Sequence, residues 1–256
     1  MKQKEFWIDI RLSEEEINFL RDAISDPENE GENCNHVLVG NISKSERIKD
    51  KDNWFYETVL KKLTEKLFYR DWDVYHKYHV EKEEPLPKFG MNAFWVNYMK
   101  QHEFNPLPHI HRALYSFVVF MKIPTHWKDQ HALPFVAHSS NPCASDFQFI
   151  WTHKDSEQSV FRNFSLSPED EGRMLFFPAS LQHQVYPFYG TEEERITISG
   201  NIDFVITKER EREVVTMSGD VYEQKEKMLK ILENSVQQFK EELKAMKKAR
   251  EKAGSI

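Results

Sequence analysis

Arg195-Ile196-Thr197-Ile198-Ser199-Gly200-Asn201-Ile202 alternates in character along its length. Successive side chains of an extended chain point to opposite faces, so Arg195, Thr197 and Ser199 share one face and Ile196, Ile198 and Gly200 the other. One apolar face and one polar face is the pattern of an antiparallel sheet strand. Working outward, further extended segments are predicted at Asp73 to Val80, Phe89 to Met99, Leu114 to Ile123, Asp146 to Thr152, Gly172 to Pro178 and Gln182 to Phe188, with Arg195 running on to Ile206. Short strands separated by loops, with few helices among them, predict an antiparallel sandwich or barrel.

Helices are expected at the two ends. Phe6-Trp7-Ile8-Asp9-Ile10 reads as a short strand, and Ser13 with Glu16 forms a capping-box pattern that starts a helix over 13–25, ended by Asp26-Pro27. A turn-rich stretch follows, then Val37-Leu38-Val39-Gly40 as a brief extended piece. A second helix is predicted over 53–69, where Phe55, Val59, Leu60, Leu63 and Leu67 recur at helical spacing. From Val221 onward the chain reads as one long helix whose Leu229, Leu232, Val236, Phe239, Leu243 and Met246 form a heptad seam. That seam either folds back on the protein's own sheet or joins two copies as a homodimer through 221–250. The expected organisation is a helical segment at 1–71, a β domain at 72–207 and a C-terminal helix at 208–256.

Composition narrows the function classes. Of 256 residues, 39% are hydrophobic and 19 are Phe, which suits a packed interior rather than a disordered chain. A formal net charge of -7 argues against broad electrostatic attraction to nucleic acid. Cys34 and Cys143 have neither the number nor the spacing of a disulfide scaffold and are expected as reduced thiols. The N-terminus lacks the apolar core of a signal peptide, and no apolar run is long enough to span a bilayer. A cytoplasmic protein without membrane partners is the expectation.

His109-Ile110-His111 carries the chemical signal. Imidazoles at i and i+2 of an extended segment share a face, and His183, brought opposite by strand pairing, would complete three ligands on one side of a metal. The other histidines (His36, His76, His79, His102, His126, His131, His138 and His153) are expected to be ordinary surface or hydrogen-bonded residues. Arg195, with a hydroxyl two residues on at Thr197, is suited to clamp a carboxylate.

Through Trp95-Val96-Asn97, Pro108-His109-Ile110-His111, Ser116 and the aromatic strand after it, Gly172 to Pro178, His183, and Glu194 to Asn201, the chain resembles the iron(II)- and 2-oxoglutarate-dependent oxygenases. The resemblance is to their microbial and phage group related to prolyl hydroxylases, and it covers about 90–205. It implies a double-stranded β-helix (jelly-roll, cupin-like) core, Fe(II) at its mouth, and 2-oxoglutarate and dioxygen as co-substrates. His109 and His183 would ligate iron, with His111 as third ligand. Arg195 would bind the distal carboxylate of 2-oxoglutarate with Thr197 beside it, and Asn97 and Tyr115 are further candidates for co-substrate contacts. The implied reaction is hydroxylation of an unactivated carbon, of a peptide or protein residue or of a small metabolite, with release of succinate and carbon dioxide.

Two departures from the family pattern stand out: His111 occupies the position of the usual carboxylate, and Ser116 to Met121 lacks a Ser-Gly-x-Tyr-Tyr pattern. Three histidines also suit zinc. Two other readings are therefore carried: a zinc- or iron-binding three-histidine cupin-type enzyme that does not use 2-oxoglutarate, and a non-catalytic β-helix module dimerising through its C-terminal helix. The segment from His126 to Asn141 is expected as a loop at the barrel mouth, with Trp127 in a substrate wall.

Overall fold

The computed structural model describes residues 6–26, 32–70, 88–111, 113–153 and 157–205. All belong to the unit Met1–Val205. The strand expected at 73–80, the C-terminal helix and its heptad seam lie outside the described residues.

Ten strands form two antiparallel sheets. They are β1 (Ile8–Arg11), β2 (Lys44–Arg47), β3 (Phe89–Met99), β4 (Asn105–His109), β5 (Tyr115–Lys122), β6 (Phe147–Thr152), β7 (Ser159–Phe164), β8 (Arg173–Pro178), β9 (Gln182–Val185) and β10 (Arg195–Phe204). The larger sheet has the order β1-β8-β5-β10-β3-β2 and the smaller one β4-β9-β6-β7. From β3 onward the chain passes between the sheets: β3, β5, β8 and β10 lie in the larger one, β4, β6, β7 and β9 in the smaller. Eight strands wound in this order make a jelly roll, so the expected mainly-β sandwich is what forms. The N-terminal segment, expected to be helical support, also supplies β1 and β2 to the larger sheet.

The larger sheet buries both faces. On its outer face Phe94, Val96, Phe117, Val119, Met174, Phe176, Ile198 and Ile202 pack against Leu20 of helix α1 (Glu14–Ser25) and against Phe55, Val59, Leu60, Leu63 and Leu67. On its inner face Val118, Phe120, Leu175 and Phe177 meet Phe147, Phe149 and Phe164 of the smaller sheet. Close packing is sharpest at Gly200, where a Cβ would lie 2.6 Å from Phe117 Cε1 and 2.7 Å from the Ala93 carbonyl oxygen.

Local chemistry explains several element boundaries. Ser13 accepts from the Glu16 amide while Glu16 accepts from the Ser13 amide, so the capping box starts α1 as expected. The second helix departs from a regular one: a single π turn at Tyr56–Leu60 precedes α2 (Lys61–Arg70). Asp50 holds its entry by accepting from the Phe55 and Tyr56 amides at 2.8 and 2.9 Å. Val37 to Gly40 forms no strand: Val37 ends the 3-10 turn Asn35–Val37, and Leu38 after it has extended backbone. The Asn35 side chain donates to the Ile42 carbonyl and accepts from the Ser45 amide, drawing the backbone into a closed loop instead of a ladder. The segment after His126 is likewise not all loop. It opens with the short helix α3 (Trp127–His131), capped by His126 Nδ1, which accepts from the Lys128 amide.

Candidate metal and anion site

Strand pairing brings the three histidines together. His109 ends β4 and stands directly opposite His183 in β9. His111 lies two residues further on, tethered by its amide to the Ala179 carbonyl at 3.0 Å. One donor nitrogen from each of His109, His111 and His183 falls within 4.8 Å of the others, and the Nε2 atoms of His111 and His183 are 3.3 Å apart. Two nitrogens each about 2.1 Å from one ion, at tetrahedral or octahedral angles, are separated by about 3.0–3.4 Å. The His111–His183 spacing fits a shared metal, and His109 lies within reach of the same point.

Hydrogen bonding agrees. His183 Nδ1 lies 3.0 Å from the Leu181 carbonyl, which fixes the proton on Nδ1 and leaves the Nε2 lone pair facing His111. His109 Nδ1 meets the Pro106 carbonyl at 3.3 Å. Burial lowers the pKa of all three imidazoles: His111 to about 4, His183 well below its ordinary value, and His109 below it too. A neutral imidazole is the ligating form, so the cluster is poised to bind a cation.

A cavity of about 400 Å³ joins these histidines to the polar face of β10. Arg195, Thr197, Ser199 and Asn201 line it, while Ile198 and Ile202 face the helices, as the alternation requires. Asn97, opposite Thr197 in β3, accepts from Ser45 Oγ at 2.8 Å and donates to Thr197 Oγ1 at 3.4 Å. Phe120, Phe147, Phe177 and Val118 add apolar surface to its lining.

Arg195 is the least expected of these in its surroundings. Its side chain is entirely buried, yet only Nη2 is paired, donating to the Ser145 carbonyl at 3.0 Å and to the Ser145 hydroxyl. Nε and Nη1 have no hydrogen-bond partner. Phe188 lies under the guanidinium at 5.0 Å. Burial lowers the Arg195 pKa to about 10, with Asp146 opposing the shift, so the group stays cationic at neutral pH. A buried cation with two unpartnered nitrogens in a cavity beside a cation-ready cluster is built to receive an anion.

Sequence reasoning missed the support of this arginine. Ser145, at φ 72°, and the fully buried Asp146 precede β6, and His131 Nε2 reaches Asp146 Oδ1 at 3.1 Å. Asp146 was legible only as the start of a strand and His131 only as an ordinary histidine, since the contact depends on how α3 folds over β6. Two expectations are corrected. Tyr115 packs against Phe176 in the helix-side core and does not line the cavity, because its strand parity places it opposite to Ser116. Trp127 stacks on His126, meets His131 edge-on and is absent from the cavity wall. That wall includes instead Cys34, Val37, Leu38, Val39 and Ile42 of the closed loop before β2.

Residues 93–201, which carry every one of these cavity groups from Trp95 to Asn201, match the family described as putative 2OG-Fe(II) oxygenase. The resemblance to the iron(II)- and 2-oxoglutarate-dependent oxygenases is shown for that segment, and the family's description names its metal and its co-substrate. No curated protein matches the chain. Among solved structures it is similar to a Pseudomonas putida prolyl-4-hydroxylase (12% identity over 77% of this chain and 92% of that one, TM-score 0.42). It is similar too to a viral collagen prolyl hydroxylase from Paramecium bursaria Chlorella virus-1 (13%, 77% and 96%, TM-score 0.40). A third is the non-heme alpha-ketoglutarate-dependent epimerase SnoN from nogalamycin biosynthesis (11%, 79% and 77%, TM-score 0.47). The fold reading rests on the strand order above, not on these similarities. No helix among the described residues is long and apolar enough to cross a membrane.

Proposed function

We propose that this protein is an iron(II)- and 2-oxoglutarate-dependent dioxygenase that hydroxylates an unactivated carbon, of a peptide or protein residue or of a small metabolite, releasing succinate and carbon dioxide. The observation that carries this reading is the sharing of one cavity by three convergent imidazoles and a buried arginine whose Nε and Nη1 have no partner.

His109, His111 and His183 would hold iron(II) as three neutral donors. Arg195 would take the distal carboxylate of 2-oxoglutarate through Nε and Nη1, and Thr197, steadied by Asn97, would add a hydroxyl. When bound, the iron supplies dioxygen activation coupled to decarboxylation of the co-substrate, chemistry that no side chain here provides. The protein's part is orientation and exclusion of water: Ser145 fixes one end of the guanidinium, and Phe120, Phe147 and Phe177 give the lining apolar surface. The lining contains no Asp or Glu among the described residues, so the general base that zinc hydrolysis needs is missing from the wall, which favours the oxygenase over the zinc reading.

The test is succinate formation from 2-oxoglutarate by protein loaded anaerobically with Fe(II) and then exposed to air. Wild type is expected to turn over, and His183→Ala is expected to lose both stoichiometric metal and turnover. Full turnover by a metal-free His183→Ala protein would refute the assignment.

A further inference from the structure

The charge of the cavity points to the kind of molecule that enters it. In a chain with 42 acidic residues and net charge -7, the described cavity wall carries two arginines, three histidines and no Asp or Glu. As metal ligands the histidines would contribute donors without charge. Resting on the oxygenase reading, a divalent ion would meet dianionic 2-oxoglutarate, Arg195 has Asp146 beside it, and Arg47 has only its loose pair with Glu32. Arg47 is therefore the cation of the wall that a second anion can reach, by displacing an exposed carboxylate.

Arg47 is placed to be the second anion contact. It pairs opposite Trp95 in the β2–β3 ladder and shares a strand face with Ser45, which is buried in the cavity on Asn97. Two residues further along, Arg47 lines the same cavity with its side chain 51% exposed. Its ion pair with Glu32 is long, at 3.5 Å, and the carboxylate is 69% exposed, so the pair is weak and readily exchanged. Around the cavity rim the wall is apolar: Leu38 and Ile42 lie within it, and Val37, Val39 and Ile110 line it while more than half exposed. The loop bearing the two valines is held closed by Asn35 and by the Asn41–Phe104 bridge, so this wall is preformed.

We propose that the primary substrate is a small amphiphilic anion, an apolar body ending in one carboxylate or phosphate, and that Arg47 is the residue that selects its charged end. An apolar rim with a single cation matches one head and one tail. A peptide would bring repeated backbone polar groups to a wall of valine, leucine and isoleucine side chains that cannot pair with them.

The test uses the full chain loaded with Mn(II) and kept free of oxygen, with binding read by calorimetry and by thermal unfolding. 2-Oxoglutarate is titrated first, then octanoate, octyl phosphate and the neutral octanamide, in the presence and in the absence of 2-oxoglutarate. At least one anion is expected to bind about tenfold or more tightly than octanamide. Arg47→Gln should erase that preference, Arg47→Lys should keep part of it, and both should still bind 2-oxoglutarate. Preference for octanoate alone or for octyl phosphate alone identifies which head is meant. Equal binding of anions and amide, an undiminished preference in Arg47→Gln, no binding of any of the three, or tighter binding of a capped Glu-containing peptide would overturn the proposal. Failure of 2-oxoglutarate itself to bind wild type counts against the oxygenase reading, while the Arg47 dependence is still read from the titrations made without it.

Discussion

Replacing Arg195 by Met separates a ligand-binding arginine from a structural one, because the two roles predict opposite balances. The side chain is fully buried, and its Nε and Nη1 have no partner. Each buried nitrogen left without a partner costs about 1–3 kcal/mol, so with two of them an apolar chain of similar length relieves about 2–6 kcal/mol in the free protein. Against this stand the lost bonds to Ser145, the contact with Phe188, worth about 1–2 kcal/mol when desolvated, and the loss of the cation facing Asp146. These terms oppose one another, and a net change within about 2 kcal/mol either way shifts Tm by no more than about 8 °C. Binding has no such opposing terms. Truncating the partner of a buried carboxylate costs about 3 kcal/mol or more, a weakening of about 100-fold or more in 2-oxoglutarate affinity. Thermal unfolding of Mn(II)-loaded protein with and without 2-oxoglutarate, paired with calorimetric titration, reads both quantities. The expected result is a near-normal Tm that 2-oxoglutarate no longer raises. A folded Arg195→Met protein with wild-type affinity, or a Tm lower by more than about 10 °C with affinity intact, refutes the reasoning and makes the arginine structural.

Gly200→Ala should destabilise the protein by about 1–3 kcal/mol, since its Cβ would press on Phe117 and on the Ala93 backbone, and denaturant unfolding should show a lower midpoint with an unchanged slope. A neutral result there would mean that β3 and β10 give way more easily than their register implies. The pH dependence of metal binding follows from the histidines. Protons compete with metal for the same lone pairs, and burial lowers all three pKa values, so the competition begins at more acidic pH than for free imidazoles. Mn(II) or Zn(II) affinity should therefore stay nearly flat from about pH 7.5 down past the ordinary histidine value near 6.5 and fall only below it. An affinity that halves near pH 6.5 would mean solvated, ordinary imidazoles.

The pattern of what the sequence revealed has a structural cause. Strands β3, β5, β6, β8 and β10 were legible because each is paired on both sides or buried on a face, which enforces alternation or an apolar run. The three unread strands, β2, β4 and β7, all lie at sheet edges. Lys44-Ser45-Glu46-Arg47 is wholly polar, and Ser159 to Phe164 is mostly exposed, as suits an edge with one side in water. β4 hid for a different reason, since Pro106 and Pro108 lack the N–H that a central strand must donate, and such residues read as loop. The histidines were found by their own spacing while the strand that bears them was not. At an edge the prolines cost no ladder bonds, and β4 meets β9 only at Asn105 and His109. The consequence is chemical: without a continuous ladder the Pro106 carbonyl is free to meet His109 Nδ1, and the chain can leave the sheet after His109 so that His111 swings toward His183. The interruption that concealed the strand is what lets two histidines two residues apart reach one point.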